Sequence, residues 1–306
     1  MAHQVERAAG SIYDLGYRNY EGARLGRRHA VTSLYVQSLR GVFGLGRHHA
    51  SKIIPLALAV ITLLPAVVQV GVVALAEEEI DIFRPDDYYE FIQWPLALFV
   101  AAVAPELVGR DQRNRTLSLY FSRALLRSDY VLAKVAALAT ALLILTLVPQ
   151  AMVFLGNALA GDDSVDYLRD NWRDFAPIVA SGAFLSLFMA SVALAIASQT
   201  PRWPLASGGV IAYFAITFVV TEILVHTLET GPPRYAFLFS GFHVMRGLTL
   251  WVFRVTPTLA VDEEDGSLAN DLALADVALV LYALAAALTI IAALLVVYRR
   301  YRRMAL

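Results

Sequence analysis

Long apolar runs alternate with short charged segments along most of the chain. Six runs are long enough to cross a hydrocarbon core of roughly 30 Å as helices of about 20 residues, the form in which a backbone satisfies its own polar groups inside lipid. They cover 53–76, 91–108, 131–160, 176–197, 204–228 and 272–298, the third being most apolar from Val135 to Leu155. The predicted fold class is an all-α membrane protein with six transmembrane helices over 53–298, a segment 1–52 before them and a short basic tail 299–306 after them. Ahead of the first run, Val31, Leu34, Tyr35, Ser38 and Val42 recur at i, i+3, i+4, i+7 and i+11, with Arg27, Arg28, Arg40 and Arg47 at the edges. Such a stripe predicts an N-terminal amphipathic helix lying in the headgroup plane; a plain basic juxtamembrane tail is the alternative.

The segment 229–271 carries a further apolar stretch, Tyr235 to Val255, broken by His243, Arg246 and Arg254 and bracketed by Pro232, Pro233 and Pro257. A seventh span there would carry the C-terminal arginines to the wrong side. The stretch therefore predicts re-entrant or interfacial helices between spans five and six, against the simpler reading of an ordinary loop with an aromatic belt.

Composition strengthens the membrane reading. At 306 residues, 58% of them hydrophobic, and a mean hydropathy of +0.59, the chain has more apolar surface than one aqueous fold can bury. The absence of cysteine excludes disulfides, thiolate metal sites and cysteine nucleophiles. The net charge of −1 hides a partition: segments 1–52, 109–134, 198–203 and 299–306 hold 19 of the 25 lysines and arginines, while 77–90, 161–175 and 229–271 hold 18 of the 26 acids. By the positive-inside rule both termini face the cytoplasm, as does the loop 109–130. This charge pattern reports topology and gives no sign of nucleic-acid binding. Only two of the basic residues are lysines, a bias of GC-rich bacterial genomes, so the expected location is a bacterial cytoplasmic membrane. The first apolar run begins at Ile53, after a charged segment, so no cleaved signal peptide is expected.

Candidate chemistry is sparse. The chain has no G-x-x-x-x-G-K-[ST] phosphate cradle, and its six histidines show no metal-ligand spacing of the H-E-x-x-H kind, so neither nucleotide hydrolysis nor a metal site is expected of it. No catalytic residue is assigned. Ionisable and amide groups within spans are candidates for a substrate path or gate because they are costly there. Glu106 stands one turn before Arg110, a spacing that suits a local ion pair, and Glu222 and His226 share a helix face,. Gln150 and Asn157, like Gln69 and Gln93, serve either as path residues or as polar glue between helices.

The loop after the second run is the most specific feature. From Glu106 it runs through Asp111, Arg115-Thr116-Leu117, Phe121-Ser122-Arg123, Arg127 and Tyr130 to Lys134. With the six-span plan, it resembles the permease subunits of type 2 ABC exporters. In that family an acidic residue precedes G-T-L, then a proline-containing element, then a lysine after glycine. Here Asp111, Thr116, Leu117 and Lys134 match, Arg115 and Ala133 stand where the family has glycine, and Ala124 to Arg127 replaces the proline element. The resemblance implies a permease without its own ATPase or cofactor. Two copies, or one copy and a homologue, would sit with separate ATPase subunits that carry ATP and magnesium. It further implies a coupling helix over Asp111 to Leu119, with Asp111, Arg113, Arg115, Thr116, Leu117, Ser118 and Arg123 as coupling residues and the two middle arginines meeting acids of the ATPase. Anchoring of these arginines on membrane lipids is the plainer reading. Two other functions keep the same topology: a non-transporting membrane scaffold or sensor subunit, and a membrane enzyme acting on lipid around Glu222 and His226. Nothing in the spans selects a substrate.

Overall fold

The computed structural model describes residues 22, 25–46, 50–76, 84–122, 125–160, 164–227, 232–256 and 267–303, and among them no strand occurs. The α-helices are α1 (Gly26–Val42), α2 (Ala50–Ala76), α3 (Pro85–Ala104), α4 (Arg110–Arg113), α5 (Leu117–Phe121), α6 (Arg127–Ala160), α7 (Ser164–Asn171), α8 (Phe175–Ala197), α9 (Trp203–Thr227), α10 (Gly241–Phe253), α11 (Leu268–Ala275) and α12 (Leu279–Arg303). A π turn, Pro105–Gly109, joins α3 to α4, and 3₁₀ turns at Trp172–Asp174 and Pro232–Phe239 precede α8 and α10. Six helical stretches, built on α2, α3, α6, α8, α9 and α12, are long and apolar enough to cross a membrane.

Burial ranks these spans. The most apolar windows of α3, α6 and α8 are 67%, 56% and 72% buried, against 28%, 22% and 28% for α2, α9 and α12. The first three form the centre. Helix α3 lies between α2 and α9, while α12 packs against α8 and α10. Helix α10 is buried at every position from Gly241 to Leu250 although it is too short to span.

Three boundaries differ from the hydropathy pattern, each for a local reason. The second span starts at Pro85 rather than near residue 91 and continues to Arg113. Its first turn carries Asp86, Asp87 and Glu90, which depress hydropathy but meet the buried Arg246 of α10 at 3.6, 2.5 and 3.1 Å. The third span starts at Arg127, where the Asp129 carboxylate accepts from the Leu126 amide at 3.0 Å and closes the first turn. The sixth starts at Leu279 rather than 272, because 272–275 belong to α11. That helix is capped by Ser267 at its start and ended by Asp276 in the left-handed conformation (φ 48°).

At Pro105 the backbone carbonyl released by proline finds another donor, as a span in lipid requires. Pro105 has no amide hydrogen for the carbonyl of Ala101, four residues back, and the Ser207 hydroxyl of α9 donates to that oxygen at 2.7 Å,. The π turn begins at the same proline.

The apolar stripe of α1 packs on protein. Leu34, Ser38 and Val42 are buried, α1 lies along α6, and two polar links fasten it: Arg27 to Asp129 at 2.7 Å and the Tyr35 hydroxyl to Thr140 Oγ1 at 3.0 Å. Hydropathy along α1 alone cannot distinguish lipid from a neighbouring helix as the cover of that face.

Helices α10 and α12 meet closely at Gly247. A Cβ on Gly247 would fall 2.4 Å from Cγ and 2.7 Å from Cβ of Tyr282, a fully buried side chain whose root cannot move without shifting α12. Gly247→Ala is therefore expected to destabilise the fold by about 1–3 kcal/mol, the usual cost of overpacking, read as a lowered thermal midpoint in detergent. Gly208→Ala, with open space at its Cβ, is expected to leave that midpoint nearly unchanged.

Candidate functional site

The segments rich in arginine meet at one end of the bundle. There the loop between α3 and α6 forms two short helices, α4 and α5, hinged at Arg115, whose φ of 52° is left-handed. Left-handed backbone costs a non-glycine residue about 1–2 kcal/mol, so the hinge persists only because both of its sides are held.

Asp111 is the point of attachment. Its carboxylate receives the Lys134 ammonium at 2.8 Å and the Tyr130 hydroxyl at 2.8 Å, both from α6. Lys134 also donates to the carbonyl of Leu107 within the π turn at 2.9 Å. The Lys134 and Asp111 side chains are 7% and 13% exposed, too little for water to replace either partner. Tyr120 and Phe121 of α5 and Tyr301 of α12 pack on the Tyr130 ring, with centroids 5.9, 5.9 and 5.0 Å away. Thr116 closes the loop from its other side, its amide and hydroxyl donating to the Asp111 carbonyl at 3.1 and 3.3 Å.

Neighbouring residues tie the loop to the remaining elements at this end. Gln112 donates to the Ser198 carbonyl after α8 and to the Tyr301 hydroxyl, both at 3.1 Å. Arg113 donates to the Pro201 carbonyl before α9 at 3.0 Å and pairs with Glu106 at 3.3 Å. Where spacing suggested Arg110 as the partner of Glu106, the structure brings Arg113 to it from beyond the π turn. Arg127 donates to the Arg302 carbonyl. A short loop is thereby bonded to both helices it connects, to the α8–α9 turn and to the end of α12. A cleft of ≈ 330 Å³ separates it from α1, lined by Glu106, Arg110, Asp111, Asn114 and Lys134 among others.

Of the predicted coupling residues, Asp111, Thr116 and Leu117 form the inner face of the loop. Arg113 is a partly exposed clasp, Arg115 and Ser118 are exposed at the tip beside Leu119 (65% exposed), and Arg123 lies outside the described residues. The predicted path residues divide. Gln150 is buried and donates to the Pro85 carbonyl at 2.7 Å, fixing the start of α3; Asn157 is buried two turns further along α6.

Glu222 and His226 meet as their spacing implied, at 3.0 Å, and they are joined at the opposite, acidic end by two residues from other elements, His243 of α10 and Asp271 of α11. Sequence spacing could not reveal this foursome. His243 is fully buried, its ring stacked between Phe237 (4.0 Å) and Phe218 (5.5 Å), with Nδ1 2.8 Å from Ser240 Oγ. Burial disfavours its charged form, but the carboxylates of Asp271 and Glu222 outweigh burial and raise its pKa above the ordinary histidine value,.

Comparison with protein-family models and with curated proteins finds no match to this chain.

The Asp111–Lys134 pair yields a direct test. Lys134→Met leaves a carboxylate buried beside apolar neighbours and is expected to cost about 3–5 kcal/mol, whereas Asp111→Asn combined with Lys134→Met is expected to recover most of that loss. Thermal unfolding of the native protein and the two purified variants measures both effects.

Proposed function

We propose that this chain is the membrane-spanning permease subunit of an ATP-driven exporter, coupled through the α4–α5 loop to separate ATPase subunits. The observation that carries this reading is the backbone at Arg115. The resembled family has glycine at that place in its loop motif, and here the corresponding residue adopts the left-handed conformation that favours glycine,. A turn kept despite that cost points to a required shape.

The mechanical arrangement agrees. A partner gripping the exposed tip, Arg115, Ser118 and Leu119, would pull on a rigid body bonded to α3, α6, the α8–α9 turn and α12. Nucleotide-driven closure of two partners would thus become a tilt of spans, with no flexible link to absorb it. Arg115 is the residue best placed to meet an acidic surface, since Arg113 is also engaged with Glu106 and Pro201. The ATPase brings ATP and magnesium; this chain contributes no cofactor and hydrolyses nothing itself.

On this reading the arginine-rich end faces the cytoplasm of a bacterial cell, with both termini there. Helix α1 lies at the headgroup level with its exposed arginines on phosphates and its inner face on α6. The buried α10, preceded by the 3₁₀ turn, is a re-entrant element that enters and leaves at the acidic end. Helices α2 and α9, which flank α3 and are the least covered on that side, are where a second permease copy or homologue would seat, the pathway forming between them. Glu106, near the loop root, and Glu222 with His226, at the far end, stand at opposite ends of that path.

Charge reversal at Arg113 and Arg115 is expected to uncouple ATP hydrolysis from transport in reconstituted complexes without lowering expression. Arg115→Gly separates shape from charge: it relieves the backbone by about 1 kcal/mol and raises the thermal midpoint, while removing the contact. Unchanged coupling in the charge-reversed protein removes these residues from the interface, and failure of any ATPase to co-purify with the chain favours a scaffold or sensor role.

A further inference from the structure

Around α10 the acidic end gathers Asp86 and Asp271, which are buried, and Asp87, Glu90 and Glu222, which are partly so. Among the described residues the three acids of α3 share one buried guanidinium, Arg246. Arg84, 60% exposed, adds a contact to Asp86 at 3.4 Å. Among the described residues, Glu222 and Asp271 pair with the imidazoles of His226 and His243. Two carboxylates withdrawn from water without a permanent cation are costly.

Their arrangement is that of ligands. Each carboxylate turns one oxygen to each imidazole: His243 Nε2 lies 2.9 Å from Glu222 Oε1 and 3.6 Å from Asp271 Oδ2, and His226 Nε2 lies 3.0 Å from Glu222 Oε2 and 3.2 Å from Asp271 Oδ1. The donor atoms of Glu222, His243 and Asp271 all lie within 4.8 Å of one another. Around a tetrahedral ion with bonds of about 2.0–2.2 Å, donor atoms stand about 3.3–3.6 Å apart, near the 2.9 and 3.6 Å that separate His243 Nε2 from the two carboxylates. The fully buried Nε2 of His243 and the Oε1 of Glu222 touch without the alignment of a hydrogen bond and have no other hydrogen-bond partner. In the tautomer that donates Nδ1–H to Ser240 Oγ, 2.8 Å away, Nε2 turns its lone pair into the space between the carboxylates, as a metal-bound histidine requires. Phe218 and Phe237 hold the ring plane.

We propose that Glu222, His243 and Asp271 bind one divalent transition-metal ion. An imidazole among the donors favours zinc or a similar first-row ion over calcium or magnesium, which take oxygen ligands. His243 and Asp271 are buried and Glu222 partly so, and His226, 48% exposed, contacts the other oxygen of each carboxylate and stands at the rim through which an ion enters. An ion there would fasten α9 to α10 and α11, the segments that close the acidic end. The site stands whether or not the chain couples to an ATPase.

The test uses the full chain in detergent, stripped with a chelator and titrated with zinc chloride by calorimetry, with metal content measured after gel filtration. The expected result is one zinc per chain, a rise in thermal midpoint with zinc, and at least a ten-fold weaker affinity in His243→Gln and Glu222→Gln. Ser240→Ala, which frees the ring, is expected to weaken binding 10–100-fold. Should those variants not fold, Asp271→Asn carries the same expectation. A stripped protein that takes up no zinc overturns the proposal. So does zinc that persists in His243→Gln but is lost from His48→Gln/His49→Gln, or calcium bound as tightly as zinc.

Discussion

A lysine and an aspartate, both nearly shut off from solvent, hold the root of the loop between the second and third spans. Lys134 reaches from α6 to Asp111 of α4 and, with its remaining donors, to the π-turn carbonyl of Leu107. An ammonium in such surroundings is tolerable only with its partner present. The pair therefore acts as a condition on the fold: α6 cannot leave α4 without stranding a charge in an apolar setting. The left-handed Arg115, the aromatic packing around Tyr130 and the clasps from Gln112 and Arg113 all depend on α4 being fixed first. What results is an exposed tip on a rigid base, the form a part needs if force applied at its surface is to reach several spans.

The acidic end is organised by the same rule with a different balance. Helix α10 enters the bundle carrying two buried cationic or basic groups, His243 and Arg246, one turn apart. They point to different walls: Arg246 to the first turn of α3, His243 to α9 and α11. The α3 wall is closed by a permanent guanidinium. The α9–α11 wall relies on imidazoles, so its charge balance can change with what is bound. One end of the bundle is thus fixed by permanent charges, and the other contains a group of side chains able to exchange a cation.

Much of this was legible in the sequence, and the failures share a cause. Six runs were visible because α2, α6, α8, α9 and α12 are apolar on nearly every face, and the loop was visible because polar residues interrupt two such runs. The start of α3 was missed because Asp86, Asp87 and Glu90 look like a loop until Arg246, 160 residues after Asp86, is placed beside them. The pairing of Glu222 with His226 followed from helical spacing; His243 and Asp271 did not, since their approach is made by tertiary packing alone. Lys134 offered a signal that pattern matching underused. A lone lysine within an apolar run asks for a buried acid, and Asp111 was available. The apolar face of α1 was also visible, but its cover, α6, was not.

Rigidity of the α4–α5 loop, held through Lys134, is the central condition. Hydrogen exchange at the amides of Asn114, Thr116, Leu119, Tyr120 and Ser122, all bonded within the loop, measures this directly. The prediction is slow exchange in the native protein, comparable with the spans, and markedly faster exchange at these amides alone in Lys134→Met. Exchange in the native protein at the rate of an unstructured peptide would contradict it.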